Sequence, residues 1–225
     1  MRWTRTVHTG HHEGVDATTA AMLRLLLQPT EWPDRVSDFA AGMRRVSRNP
    51  SGLLLVGTPD DEPWHLAAHL DETARWEGIP EISPVLVRWT PPREGPQHLT
   101  MGMRRLDYVR RGDLVLVVAP TATPPRLLER VDDAKKSGGA VFSIDGGDDD
   151  LNSIAHESLS VTAPITVPPH QSNVPVPDLG DTTVAFETVQ HLVNLAAGET
   201  TNRRGRIRAR LARALEAISG PSTVD

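Results

Sequence analysis

Apolar residues along the chain fall into two kinds of run, and their alternation sets the first expectation. One kind is short and almost wholly apolar: Gly52-Leu53-Leu54-Leu55-Val56-Gly57, Val85 to Trp89, Asp113 to Val118, Ala140 to Ile144, and 158–161. Runs of that length, bounded by Gly or charge, predict strands buried on both faces. The other kind recurs at three- and four-residue spacing. Met22, Leu23, Leu26 and Leu27 predict a helix over 15–28 that Pro29 ends. Val36, Phe39, Ala40, Met43 and Val46 predict a second at 33–47, stopped by Asn49-Pro50. Leu66, Ala67, Leu70 and Ala74 predict a third at 63–77, with Asp60 or Asp61 as its cap and Pro63 in its first turn. Further helices are expected at 98–111, 125–137, 151–157 and 182–198, and an Arg-rich amphipathic one at 202–218.

Strands alternating with helices call for an α/β fold: a three-layer αβα sandwich around a parallel sheet. A helical pair precedes it and helices follow it. The expected division is an irregular N-terminus at 1–14, the α/β domain at 15–198, and an Arg-rich C-terminal helix and tail at 199–225. Residues 162–181 are Pro-rich and read as extended. Ligands of open α/β sheets sit beyond the carboxyl ends of strands, so the loops Thr58–Glu62 and Ala119–Pro125 are the first places to look.

Composition narrows the picture. A chain of 225 residues suffices for one full-sized α/β domain or two small ones. Cysteine is absent, which excludes a disulfide framework, a cysteine nucleophile and thiolate metal sites. The formal net charge is −5, so no global basic field points to nucleic acid. No apolar stretch approaches the ~18–20 residues that span a bilayer. Met1-Arg2-Trp3-Thr4-Arg5 lacks the apolar core of a secretory signal, so a cytoplasmic protein is expected.

Several side chains carry candidate chemistry. His65 and His69 are i and i+4 on one predicted helix, a spacing that lets two imidazoles meet one divalent ion. Equally, they can be two polar residues flanking the Leu66/Leu70 stripe. Thr121 and Thr123 follow the strongest strand and offer hydroxyls to a ligand, or simply serve a turn. Asp60, Asp61 and Glu62 can act on protons or on a cationic ligand, but capping and solvation account for them more simply. Asp145–Asp150 lacks the ligand spacing of a calcium loop and reads as a solvated turn. His8, His11 and His12 resemble a small metal cluster in a terminus. Arg203, Arg204, Arg206, Arg208, Arg210 and Arg213 read as the solvated face of a packed helix or as a surface for an acidic partner. Trp32, Trp64, Trp76 and Trp89 are too scattered for a base-stacking platform and are expected in core or interface.

Several stretches carry a family resemblance. Arg111-Gly112-Asp113 through Ala119-Pro120-Thr121-Ala122-Thr123, followed by Ala134-Lys135-Lys136-Ser137-Gly138-Gly139 and Ala140 to Ile144, resembles the second half of a sugar isomerase (SIS) domain. Trp64-His65-Leu66-Ala67-Ala68-His69-Leu70 and Ala185 to Val193 are similar to the helix behind the family's first phosphate loop and to its C-terminal helix. The resemblance spans about residues 15–198 and is nearest the phosphoheptose isomerase branch. It implies a ligand site at Thr58, Asp60, Asp61, Thr121 and Thr123, and a metal set of His65, His69 and His191 holding zinc or another divalent ion. It also implies His69 and Glu187 as acid/base residues. The branch carries a glutamate where this chain has His69. The branch's first loop is rich in Gly, Asn and Ser, whereas here three carboxylates stand at a helix amino end, where they repel phosphate. Pro120, Pro124 and Pro125 each remove an N–H from the second loop.

Three functional readings follow. The favoured one is an SIS-fold protein that binds a carbohydrate derivative or other small ligand with lost or altered catalysis. The second is a metal-dependent aldose–ketose phosphosugar isomerase. The third is a structural or regulatory dimer that uses its basic tail for a partner. Because SIS domains pair through their helices, the resemblance implies a homodimer or higher oligomer. Light scattering is expected to return at least twice the chain mass, and a monomer would contradict this expectation.

Overall fold

The computed structural model describes residues 27, 30–92, 94, 101–162, 165–166, 183–184 and 186–199. Five strands make one parallel sheet: β1 (Leu53–Gly57), β2 (Pro84–Val87), β3 (Leu114–Ala119), β4 (Ala140–Asp145) and β5 (Glu157–Ser160). Their order is β2-β1-β3-β4-β5. Leu55 lies beside Leu86 on one side and Leu116 on the other, and Leu116 beside Phe142. Every residue of β1 and β3 is buried. Strands without a polar face need cover on both sides.

That cover comes from α1 (Trp32–Val46), α2 (Trp64–Glu77), α3 (Pro125–Lys136), α4 (Asp149–Ile154) and α5 (Phe186–Gly198). Leu53, Leu55, Leu114, Leu116 and Val118 share a core with α1, α2 and α5. The alternate residues Leu54, Val56, Val115 and Val117 share the other core with α3, α4 and a 3₁₀ segment, Met103–Tyr108. The fold is therefore the expected three-layer sandwich. The layering follows from the strand order. The chain steps from β1 outward to β2, then crosses back to β3, β4 and β5 in the opposite direction. Crossovers of one hand then place α2 on one face and the later connections on the other. A single crossover helix covers α2's face, so α1 and α5 must complete that layer. They pack on each other, and α5 also packs on α2.

Helix α1 buries Val36, Phe39, Ala40 and Met43, as their spacing predicts. Phe39 meets Phe142 with ring centroids 5.1 Å apart. Gly42 makes room for that ring, since a Cβ there would lie 3.1 Å from it. Arg44 ties α1 to the end of α5 by donating to the carbonyls of Ala196 and Ala197 at 2.5 and 3.1 Å.

Some expectations need correction. Instead of a helix over 98–111, the described part has only the 3₁₀ segment. Gly102 is extended and forms a parallel bridge with Arg88, whose amide donates to the Met101 carbonyl at 2.9 Å. That edge pairing competes with helix. The helix expected at 182–198 begins at Phe186, because the β-branched Thr183–Val184 pair antiparallel with Ile165–Thr166 as a two-stranded ladder. The helix expected at 151–157 runs over Asp149–Ile154, and His156 turns back to give its amide to Val141 at 2.7 Å. Trp76 is 82% exposed and Trp64 37% exposed, so neither belongs to the core. Both sit on the outer face of α2, away from the Leu66/Leu70 stripe. Of the helix over 15–28 only Leu27 is described, and it is helical and buried. The 1–14 segment with His8, His11 and His12, most of 162–181, and 200–225 lie outside the described residues. Among the described residues no helix is long and apolar enough to cross a membrane.

Phe142 joins the sheet to α1, so Phe142→Ala should cost about 3–5 kcal/mol in urea unfolding. A loss below about 1 kcal/mol would contradict this packing.

Candidate functional site

The chain leaves β1 toward β2 on one side and returns to β3 on the other. The crevice beyond their carboxyl ends is the switch point where such sheets bind ligands. Residues 58–63 and 120–124 lead from those strand ends into α2 and α3. The first loop folds back over its own strand. The Asp61 amide donates to the Thr58 carbonyl at 3.3 Å. A Cβ added to Gly57 would stand 2.0 Å from the Asp61 carbonyl oxygen and 2.6 Å from the Pro63 ring. Only glycine permits that approach.

Glu62 turns toward β2. It accepts from Arg88 Nε at 2.9 Å and from the Trp89 amide at 3.3 Å. Trp89 Nε1 donates to the Gly57 carbonyl at 2.9 Å, and the Arg88 guanidinium lies 4.2 Å above the Trp64 ring. This clasp was not legible in the sequence, although Arg88-Trp89 does break an apolar run at a strand end. The expected aspartate cap on α2 is absent. Pro63 occupies the cap position and no side chain caps the helix, because the loop's tight return directs Asp60 into solvent.

The second loop is latched to its neighbour. The Thr123 amide donates to Asp148 Oδ2 at 2.6 Å, and Asp148 Oδ1 caps α4 by accepting from the Leu151 amide at 3.1 Å. Burial alone would raise the Asp148 carboxyl. The hydroxyl and amide of Thr123, with the amides of Leu151 and Asp150, outweigh it and hold the group below its ordinary value. Asp145 corrects the expectation of a solvated turn. It ends β4 fully buried, accepting from Ser143 Oγ at 2.8 Å and the Gly147 amide at 2.9 Å. A buried carboxylate persists there because donors surround it.

Thr58 and Thr123 stand apart from the other expected ligand residues. Both are buried, 3% and 6% exposed, and neither hydroxyl has a hydrogen-bond partner among the described residues. Thr123 Oγ1 influences Asp148 without reaching a bond of satisfying geometry. Asp60 and Thr121 are exposed, and Asp61 is half-buried. An unsatisfied buried hydroxyl costs about 1–3 kcal/mol. Thr58 directly follows β1, and Thr123 lies in the loop between β3 and α3.

The expected histidines and Glu187 come together beside the first loop. Helices α2 and α5 run side by side in the same direction. Thr73 Oγ1 donates to Asn194 Oδ1 at 2.9 Å, and Gly198 lets α5 approach, since a Cβ there would lie 2.7 Å from Thr73 Cγ2. One turn toward the amino ends, the His69 and His191 rings meet edge to face at 5.1 Å. The stripes 65-69-73 and 187-191-194-198 thus face each other. Beyond the ring pair opens a pocket of about 310 Å³ lined by Asp61, Glu62, His65, His69, Glu187, Gln190 and His191, among others. Among the described residues no Lys or Arg lines it. Gln190 is a member that sequence reasoning missed. As for metal, among the described residues no group of three or more His, Asp or Glu is arranged to hold an ion. His65, His69 and His191 share the pocket but do not form a three-donor set.

No protein-family model matches the chain, and no curated protein matches it. Similar solved structures include the sugar isomerase domain of an RpiR transcription factor from Sphaerobacter thermophilus. It has 17% identity and a TM-score of 0.47, covering 89% of this chain and 95% of that one. A protein described as sugar-binding from Salmonella typhimurium LT2 has 13% identity and a TM-score of 0.46, covering 89% and 55%. A protein described as a phosphosugar isomerase from Silicibacter pomeroyi DSS-3 has 16% identity and a TM-score of 0.45, covering 89% and 54%. This chain spans about half the length of the latter two.

The Asp148 latch has a pH signature. Its carboxyl is lower in the folded state than the unfolded value of about 3.9. Its contribution is therefore complete above that value and is lost as pH falls through the folded one. Asp148→Ala should cost about 0.5–2 kcal/mol near neutrality, and the difference from the parent should vanish in acid. A pH-independent difference between the two unfolding curves would contradict the latch.

Proposed function

We propose that this chain binds an uncharged, hydroxyl-rich small ligand, a carbohydrate derivative, at the carboxyl ends of β1 and β3. The observation that carries this reading is the pair of buried, unpartnered hydroxyls of Thr58 and Thr123 at the switch point. Buried hydroxyls without partners are rare in folded proteins, and a ligand that supplies partners accounts for them. The sequence resemblance to SIS domains, carried by the strand and loop around Thr121 and Thr123, points to the same ligand class.

The neighbouring pocket supports a neutral ligand over a phosphorylated one. Its lining offers carboxylates, an amide and imidazoles, which suit sugar hydroxyls as donors and acceptors. Among the described residues it offers no Lys or Arg to a phosphate. Arg88, close by, is held by Glu62 and Trp64. Asp61 and Glu62 precede α2, and Glu187 lies in the first turn of α5. Both helix amino ends therefore already have carboxylates beside them.

Isomerase chemistry is the second reading, favoured by His69 and Glu187 lining one pocket. An imidazole or carboxylate there would carry a proton between adjacent carbons of a bound ketose or aldose. In the favoured reading the chain binds without turnover.

A thermal-shift and calorimetric panel of neutral sugars, polyols and their phosphates tests this. Neutral ligands should bind. Thr58→Val should raise the melting temperature of the unliganded protein, by about 1 kcal/mol of stability, because an unsatisfied hydroxyl is removed; Thr123→Val should not, because that hydroxyl also helps hold the Asp148 carboxylate. Each should also weaken binding by about tenfold, the effect of one lost hydrogen bond. Unchanged affinity in both variants would sink the proposal, as would binding of phosphorylated sugars alone. Turnover abolished by His69→Gln would establish the second reading.

A further inference from the structure

The opposite end of the sheet holds a second groove, of about 710 Å³, at the amino ends of β3, β4 and β5. It is separated from the threonine pair by the length of the strands. Arg45 stands on its rim from the last turn of α1, Arg48 just beyond that helix, and Arg111 in the turn before β3. All three are exposed, and among the described residues none forms an ion pair.

These charges come from distant parts of the chain and are fastened together. The Arg48 amide donates to the Gly112 carbonyl at 2.9 Å. Asn49 Nδ2 donates to Asp113 Oδ1 at 2.7 Å and to the Arg111 carbonyl at 3.3 Å. Asp113 Oδ2 accepts from the Arg110 amide at 3.1 Å. Asp113 is buried, and both its oxygens are committed to this turn rather than to a guanidinium. Glu157 is the other acid of the lining and is exposed. The turn holding Gly138 closes the groove against Arg111, with a built Cβ 3.8 Å from that residue. His156 Nδ1 accepts from the Val141 amide at 3.0 Å, so its neutral ring carries the proton on Nε2 and adds a donor to the lining.

We propose that this groove binds a small phosphorylated ligand, with Arg45, Arg48 and Arg111 pairing its phosphate oxygens. Guanidinium forks match phosphate geometry and keep their charge at any physiological pH. The volume falls within the ~300–1,000 Å³ of small-molecule sites. Three like charges lining one groove favour an anion there. This site is independent of the carbohydrate crevice.

Calorimetry on the full chain with pyrophosphate as probe, at fixed ionic strength, tests the proposal. One saturable site is expected, and Arg45→Gln/Arg111→Gln should weaken it at least about tenfold, as loss of charge-assisted bonds does. Its melting temperature should match the parent's, since both side chains are exposed. Arg48→Gln alone should weaken binding in the same direction and serves if the double variant does not fold. Absence of saturable binding overturns the proposal, as does equal affinity in the folded variants. Arginine-dependent binding of heparin without binding of pyrophosphate also overturns it, because the rim would then serve a macromolecule. Neutral-sugar binding is expected unchanged in these variants, which keeps the two sites distinguishable.

Discussion

Strand β3, six residues with no exposed side chain, runs through the middle of the sheet between two strands nearly as apolar. Water must be kept from both of its faces at once, and the rest of the molecule is arranged around that demand. A parallel sheet cannot be closed by hairpins, so each strand returns through a crossover. With the order β2-β1-β3-β4-β5, those crossovers cover one face well and leave the other to a single helix. The helices before and after the sheet are therefore part of its core. Phe39 of α1 on Phe142, and Val189, Leu192 and Val193 of α5 in the same core, are the form this takes.

The candidate site is a consequence of that covering layer. Because α5 must lie on the sheet beside α2, its residues 187 and 191 are carried to the loop that leaves β1. Small residues where the helices touch and one hydrogen bond between Thr73 and Asn194 set their rotation. The histidines then meet at the end of the helix pair that faces the strand ends. The same end carries two buried hydroxyls, of Thr58 and Thr123, with no hydrogen-bond partner among the described residues. Elsewhere in the described residues the buried side-chain polar atoms are provided for, as the donors around Asp145 illustrate.

Charge divides the molecule along the strand direction. At the carboxyl ends carboxylates and imidazoles line the pocket, and the nearest guanidinium is already paired. At the amino ends three guanidiniums line one groove, and among the described residues none of them forms an ion pair. The two ends accordingly present different chemistry, carboxylates and imidazoles at one and guanidiniums at the other.

Much of this architecture was legible along the chain. The strands could be read because burial on both faces leaves no polar position in Leu53–Val56 or Leu114–Val118, and helix periodicity located α1, α2 and α3 within a residue or two. These are local properties, so the sequence by itself determined the layers and which loops lie at the strand ends. It could even bring His65, His69, His191 and Glu187 forward as candidates. What it could not determine was anything set by distance between separate segments. That Thr58 and Thr123 find no partner among the described residues, that Glu62 is claimed by Arg88, that Gly102 pairs with a strand edge instead of joining a helix, and that Arg45 and Arg111 line one groove all depend on which elements become neighbours. Residue type limits what a side chain can do, but only packing decides what it faces, and the chemistry of both grooves was decided there.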